Sequence, residues 1–355
     1  MSYQTLLGNV DFLESLRGKQ ANFLLSCAVT KTCEIEGLSQ AGIPGNLHLT
    51  PTLDAEFVTT GEVRSLPEIA STPSGIPTPA LITRAVHELH PFSSIELLDL
   101  GMSVKANINY FTTHALEIPS CGNIAQEGSV MDALEVFQKG VEFGQSYTTQ
   151  AQYTLLAETI PAGTTTANAT AQALGYDCKE YFSSSFKNVP RTLRDEVIQK
   201  ALNKAQTSED LFTKLSLVSD NMIVFNAGFI LGLQSQDHKL ILAGGTQMAS
   251  VLLVVNSVLK TMGGEINSDN LALCTTKWIA QDEHSNIKAL LELLDFKVNA
   301  YCATFDFSSS QSEVLKLYDK GEAKEGVGAG GALVYGLING LSTNTIVQKI
   351  ESYLG

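Results

Sequence analysis

The chain has 355 residues, 44% hydrophobic and 17% charged, with a mean hydropathy of +0.08. That is enough for one large domain and a smaller one, with a core that needs no disulfide or metal staples. A net charge of -14 excludes a nucleic-acid surface, which needs clustered Lys and Arg to displace counterions, and disfavours anionic membranes; a small anionic substrate would have to be held by backbone amides and one or two local cations.

In chain order, the apolar run at 21–29, closed by Thr30-Lys31-Thr32, reads as a buried strand. Residues 52–60 read as a second strand ending at Gly61. The four prolines within 66–79 predict an extended loop ahead of a helix over 80–87. A strand at 95–100, a loop at 118–124 and a helix over 130–145 follow. The strand at 153–157 runs into Glu158-Thr159-Ile160-Pro161-Ala162-Gly163-Thr164-Thr165, whose threonines are good helix caps, and a helix continues to Leu174 before Gly175 stops it.

Residues 191–205 and 210–234 are helical by period. The strand at 239–243 ends in Gly244-Gly245-Thr246-Gln247-Met248 and passes into a helix over 249–260. Strands at 271–280 and 299–305 flank a helix at 286–294, and an amphipathic helix is expected over 312–318. This alternation predicts an α/β fold with a mostly parallel, doubly wound, Rossmann-like sheet. Residues 20–330 would form the large domain, and 1–19 together with 331–355 a small helical domain.

Six cysteines without a C-x-x-C pair read as reduced, mostly buried thiols. Cys121, in a polar Ser-Cys-Gly-Asn turn, is the candidate for exposure, with a structural role weighed against that of a nucleophile. The histidine spacings indicate no metal site, and no cofactor is expected. Neither a leader nor a bilayer-length apolar run is present, so a soluble, cytoplasmic protein is expected, with no nucleic-acid or membrane partner.

The stretch 320–336 is dense in glycine around the carboxylate Glu325. Each glycine inside a helix costs about 1 kcal/mol relative to alanine, so such density needs a reason. Either bare backbone N–H groups approach a ligand beside Glu325, or the glycines allow close packing at a corner where Glu325 is solvated. Gly163 and the Gly244-Gly245-Thr246 turn each offer N–H groups at a helix start, which suits a phosphate, although a tight turn without ligand also explains each one. Neither is G-x-x-x-x-G-K-[ST] or G-x-G-x-x-G, so Walker-type NTPase and nicotinamide dehydrogenase readings lose their support.

Four motifs occur together in order: Ser120-Cys121-Gly122-Asn123-Ile124-Ala125, Ala157-Glu158-Thr159-Ile160-Pro161-Ala162-Gly163-Thr164-Thr165, Gly244-Gly245-Thr246-Gln247-Met248-Ala249, and Lys324-Glu325-Gly326-Val327-Gly328-Ala329. As an ordered set they resemble the nicotinate-nucleotide–dimethylbenzimidazole phosphoribosyltransferase family, in its divergent archaeal and cyanobacterial branch, over residues 66–338. The resemblance implies a parallel-sheet large domain with a small helical domain from both chain ends, usually in a homodimer. It also implies transfer of phosphoribose from nicotinate mononucleotide to a free aromatic base, giving the α-ribotide used for the lower ligand of cobamides.

Carried over on the matching positions, Glu325 is the general base and Glu158 serves ribose hydroxyls or developing positive charge on the sugar. Gly163, Gly244, Gly245 and Thr246 would hold the 5′-phosphate, with Thr159, Thr164, Gln247, Gly326 and Gly328 in the same binding set. Arg194 falls near a phosphate-contacting lysine of the family; a solvated helix face is the competing reading. Asn123 and the loop 73–83 would border the base pocket. Ala157 and Lys324 stand where the better-known branch usually has glycine, and its phosphate loop is replaced around 188–190. The accepted base is therefore left open between dimethylbenzimidazole, adenine and another azole. A non-catalytic nucleotide-phosphate-binding or regulatory protein on the same fold is the alternative.

Overall fold

A computed structural model describes residues 3–354; Met1, Ser2 and Gly355, all within the expected small domain, lie outside the described residues. The strands are β1 (Tyr3–Leu7), β2 (Ala21–Cys27), β3 (Ser94–Asp99), β4 (Thr112–Ala115), β5 (Tyr153–Thr159), β6 (Lys239–Ala243), β7 (Leu271–Thr276) and β8 (Asn299–Ala303). They form one sheet in the order β1-β8-β7-β6-β5-β2-β3-β4. Every neighbouring pair is parallel except β1 with β8. The predicted α/β class with a mostly parallel doubly wound sheet is therefore the observed one.

The helices are α1 (Asp11–Glu14), α2 (Thr50–Thr60), α3 (Ala80–Leu89), α4 (Ala133–Ser146), α5 (Gly163–Ala173), α6 (Arg191–Ala205) and α7 (Leu211–Val218). They continue with α8 (Asn221–Leu233), α9 (Thr246–Met262), α10 (Lys277–Ala280), α11 (Ile287–Leu291), α12 (Ala329–Ile338) and α13 (Thr343–Glu351). Alternate strand residues feed two cores, as a pleated sheet covered on both faces requires. Phe23, Leu25, Leu155, Ala157 and Ala243 pack under α2, α3, α12 and α13. Leu24, Leu156, Leu240 and Leu242 pack under α4, α5, α8 and α9. No helix among the described residues is long and apolar enough to cross a membrane.

Several expected elements differ. Residues 52–60 form helix, not strand: Pro51 sits in the first turn, where its missing N–H is harmless, and Gly61 at φ +80° returns its N–H to Phe57. Every residue from Thr50 to Thr59 is buried, so the helix has no polar stripe and its Thr and Val content resembles a strand's. The run 210–234 is two helices, broken where buried Asp220 caps α8 by accepting from Ile223 N at 3.0 Å. The strand expected over 271–280 stops at Thr276, whose hydroxyl caps α10. Leu315–Lys320 is a 3₁₀ helix rather than an α-helix.

The two chain ends meet: Arg17 Nη1 donates to the Ile338 carbonyl and Gly18 N to Asn339 Oδ1, both at 2.8 Å. Both ends also join the large unit. β1 is an edge strand of the main sheet, and α12 lies on that sheet, so a helical unit is not all that these segments make.

Candidate active site

From β2 the chain steps outward through β3 to β4, then returns to place β5 on the other side of β2. The β2/β5 boundary is thus the topological switch point, where open α/β sheets form a ligand crevice beyond the strands' carboxyl ends. Glu158 and Thr159 are the last two residues of β5, level with Ser26 and Cys27 of β2.

Glu325 reaches the same crevice from the loop before α12. Its Oε2 accepts from Thr276 N at 2.9 Å and Thr275 Oγ1 at 3.2 Å, at the end of β7. Its Oε1 accepts from Gly330 N at 3.0 Å and Gly326 N at 3.2 Å, at the start of α12. The surrounding glycines serve close packing: a Cβ on Gly331 would lie 2.3 Å from that of Ala243, and one on Gly330 would lie 2.2 Å from the Thr275 carbonyl carbon. Close packing is therefore right for these glycines, whereas a solvated corner is wrong for Glu325. The loop holds Ala323, Lys324 and Val327 at φ +57°, +36° and +52°, a left-handed backbone that costs non-glycine residues on the order of 1–3 kcal/mol each.

Two connected cavities meet at Glu158, Gln247 and Glu325. The first has apolar walls from Ile76, Pro77, Pro79, Ile160 and Val327, with Asp54, Thr159 and Gly326 also lining it. The second is lined by Gly163, Thr164, Gly245, Thr246, Lys324 and the serines at 183–185. The first turns of α5 and α9 open onto it without side-chain caps; in α5 Gly163 N and Thr165 N already donate to the Ile160 and Ala162 carbonyls, so the N–H groups offered to an anion come chiefly from the start of α9.

Burial pushes the Glu158 carboxyl up to about 8, reinforced by Glu325, Asp220 and Asp54 and opposed by a hydrogen bond from Gln247. Burial raises Glu325 to about 7 against its four donors. The fold thus accommodates Glu158 as the neutral acid. Its unfolded value is about 4.3, so stability is lost progressively as pH rises from there through about 8. Glu158→Gln is therefore expected to melt close to the native protein at pH 5 and several degrees above it at pH 8.5, as differential scanning calorimetry at both pH values would read.

Other expected site residues lie elsewhere. Asn123 caps its own turn, its Oδ1 accepting from Ala125 N at 2.9 Å, and lines neither cavity. Gly244 and Gly328 also lie outside both linings; Gly328 packs on Phe23 and Ala157. Arg194 is neither a solvated residue nor a lining one: it is 4% exposed and donates to the carbonyls of Phe182 and Ser183 at 3.2 Å. It holds the segment that leads into the second cavity. Cys121 is buried rather than exposed, like the other five free cysteines, and burial pushes its thiol far above the ordinary range. Among the described residues, no three His, Cys, Asp or Glu side chains converge as a metal site.

Two functional candidates were missed. Asp54 was hidden in a segment read as strand. Lys324, noted only as a departure from glycine, is a buried cation: its Nζ lies 3.1 Å from Asp282 Oδ2 and donates to the Ser184 and Phe186 carbonyls, also at 3.1 Å.

No family model matches the chain. Among solved structures, it is similar to nicotinate-nucleotide-dimethylbenzimidazole phosphoribosyltransferase from Thermus thermophilus, with TM-score 0.60 and 14% identity over 96% of this chain and 86% of that one. A structure of CobT from the same organism superposes with TM-score 0.61 at 14% identity over 94% and 84% of the two chains. The fold is thus that of the nicotinate-nucleotide–dimethylbenzimidazole phosphoribosyltransferases, with the crevice at its switch point. Within that fold, the chain belongs to the UPF0284 family. It is 34% identical over 340 residues to a UPF0284 protein of Saccharolobus islandicus, covering 95% of this chain and 93% of that protein. It is 34% identical over 354 residues to one of Sulfurisphaera tokodaii, covering 99% and 97%, and 35% identical over 335 residues to one of Saccharolobus solfataricus, covering 94% and 92%. These relatives are archaeal, in keeping with a divergent branch.

Proposed function

We propose that the crevice transfers phosphoribose from nicotinate mononucleotide to a ring nitrogen of a free aromatic base. The observation that carries this reading is Glu325, held by backbone donors at the junction of an apolar cavity and an amide-lined one. The 5′-phosphate occupies the second cavity against the first turns of α5 and α9, and the rings occupy the first. C1′ then lies between Glu158 and Glu325.

Nicotinate on ribose is a pyridinium, so when its C–N bond breaks the electron pair neutralises the ring nitrogen and no acid is needed to assist departure. The incoming nitrogen forms the new C–N bond from the opposite face and loses its proton to Glu325. A carboxylate near pH 7 is well matched to that task. Glu158, at the end of β5, meets the ribose. In the reaction implied by the resemblance to the nicotinate-nucleotide–dimethylbenzimidazole phosphoribosyltransferases, the product is an α-ribotide of the kind used in cobamides.

The test is turnover. Purified protein is incubated with nicotinate mononucleotide and a panel of azoles and purines, and nicotinate and ribotide are followed by chromatography. Base-dependent release of nicotinate supports the transferase; binding of the mononucleotide without release under any base replaces it with a nucleotide-phosphate-binding protein. With Glu325 as base, kcat/KM for the acceptor is expected to rise close to tenfold per pH unit below about 7 and to level off above it. A profile flat from pH 5.5 to 8 would remove Glu325 from that role.

A further inference from the structure

The first cavity contains a carboxyl group that the reaction just described does not use. Asp54 projects from α2, is 2% exposed, and lines the apolar cavity together with Glu158 and Glu325. Its Oδ1 accepts from Thr78 Oγ1 and its Oδ2 from Thr159 Oγ1, both at 2.7 Å. Two β-branched hydroxyl residues therefore fix its orientation. Each oxygen keeps a second lone pair, because a carboxylate accepts about four hydrogen bonds.

The hydrogen-bonding character of this cavity is one-sided around Asp54. The hydroxyl hydrogens of Thr78 and Thr159 are committed to Asp54, and that of Thr50 to the Ala41 carbonyl. The Gln40 amide is committed to the Ser185 carbonyl and to Glu322. What Asp54 and Gln247 turn toward the cavity is acceptor capacity: the second lone pairs of the Asp54 carboxylate and Gln247 Oε1, which is buried with no hydrogen-bond partner. Glu325 already carries four donors, and Glu158 as the neutral acid offers a hydroxyl hydrogen instead. A ligand that fits such walls must be flat and apolar on its faces and must donate a hydrogen bond from the edge that meets Asp54.

Asp54 is tied to Thr159 on β5, whereas Glu325 is tied to Thr276 on β7. Two strand spacings separate these anchors, roughly 9–10 Å, so the two carboxyls serve different edges of one bound ring system. One edge presents the nitrogen that Glu325 deprotonates. The other has to satisfy Asp54.

Building on the transferase reading, we infer that Asp54 is a specificity-determining residue that selects acceptor bases carrying an exocyclic amino group, aminopurines foremost, over the same rings without it. A ring edge bearing methyl groups or a bare C–H would leave Asp54 buried and short of a partner. Sites built around a buried hydrogen-bonding group reject analogues lacking the complementary group.

The experiment compares adenine with purine, which differ only in the amino group, on the full chain. Isothermal titration calorimetry reads their binding with and without nicotinate mononucleotide, and chromatography reads their use as acceptors. Native protein is expected to prefer adenine by about tenfold or more, and Asp54→Asn to bring that ratio within about threefold. Thr78→Val, which removes one orienting hydroxyl and keeps the side chain's shape, is expected to give an intermediate ratio and supplies the test if the Asn variant does not fold.

Equal binding of adenine and purine by native protein overturns the inference, as does an unchanged ratio in both variants. A variant that weakens only nicotinate mononucleotide places Asp54 on the ribose and overturns it too. Adenine selectivity lost in Asp54→Asn, but with no transfer to either base, upholds Asp54 as the selector and refutes the transferase instead.

Discussion

Glutamine in place of Glu325 is expected to lower kcat for phosphoribosyl transfer about 10²–10⁴-fold and to leave nicotinate mononucleotide bound, as single-turnover kinetics and calorimetry would show. The size follows from removing the only proton acceptor assigned to the incoming base. The variant has a second consequence, read from its partners. All four groups on the native carboxylate are donors: Thr276 N and Thr275 Oγ1 on one oxygen, Gly330 N and Gly326 N on the other. The amide can accept from one side only, and its NH₂ must turn toward donors on the other. A neutral side chain also relieves the burial that raises Glu325, so the net change in stability is expected to be small while the chemistry is lost. A kcat within threefold of native would dismiss Glu325 as the base.

Lys324→Met is expected to produce the largest loss of stability at any lining position. Lys324 and Asp282 have side chains only 3% and 4% exposed, and removing one partner of such a pair leaves the other charge buried, at a cost of about 3–5 kcal/mol. The melting temperature should fall by on the order of 10 °C. Burial alone would raise Asp282, but Lys324, Ser183, Ser285 and His284 N outweigh it and hold its carboxyl below the usual range. In the native protein, that stability is present above the unfolded carboxylate value and is lost as pH falls through the lowered one. The deficit of the Met variant should therefore begin to shrink only as pH falls below about 4, and adding Asp282→Asn should recover part of it. A variant that melts within 2 °C of native at pH 7.5 would reduce the pair to a spectator. Because Nζ also holds the Ser184 and Phe186 carbonyls, the serine wall of the second cavity should loosen, and the KM for nicotinate mononucleotide should rise.

The parallel sheet was legible because its central strands are uniform apolar runs ended by Gly or Thr turns; β5, β6 and α6 fall where the pattern puts them. Glu158, Gln247 and Glu325 were legible through their motifs, and all three converge at the cavity junction. Asp54 was not, because a helix buried on every side has no periodic stripe, and its Thr and Val residues imitate a strand. Lys324 was read as a lost glycine, since nothing local to it announces a partner at Asp282, 42 positions earlier in the chain. Arg194 stood between a phosphate contact and a solvated face, and the sequence could not reveal its actual place for the same reason: its acceptors are carbonyls of another segment.

The antiparallel edge strand sets a timetable for the protein's birth. Tyr3 lies opposite Ala303 and Leu7 opposite Ala300, so β1 is translated before every other described strand and is the last of them to gain its neighbour. At ~5–20 residues per second of translation, it waits roughly 15–60 s while the strands from β2 to β7 can already pair. β1 docks only when β8 emerges, making closure of this edge a late event that mutations in β1 should affect separately from the assembly of the crevice.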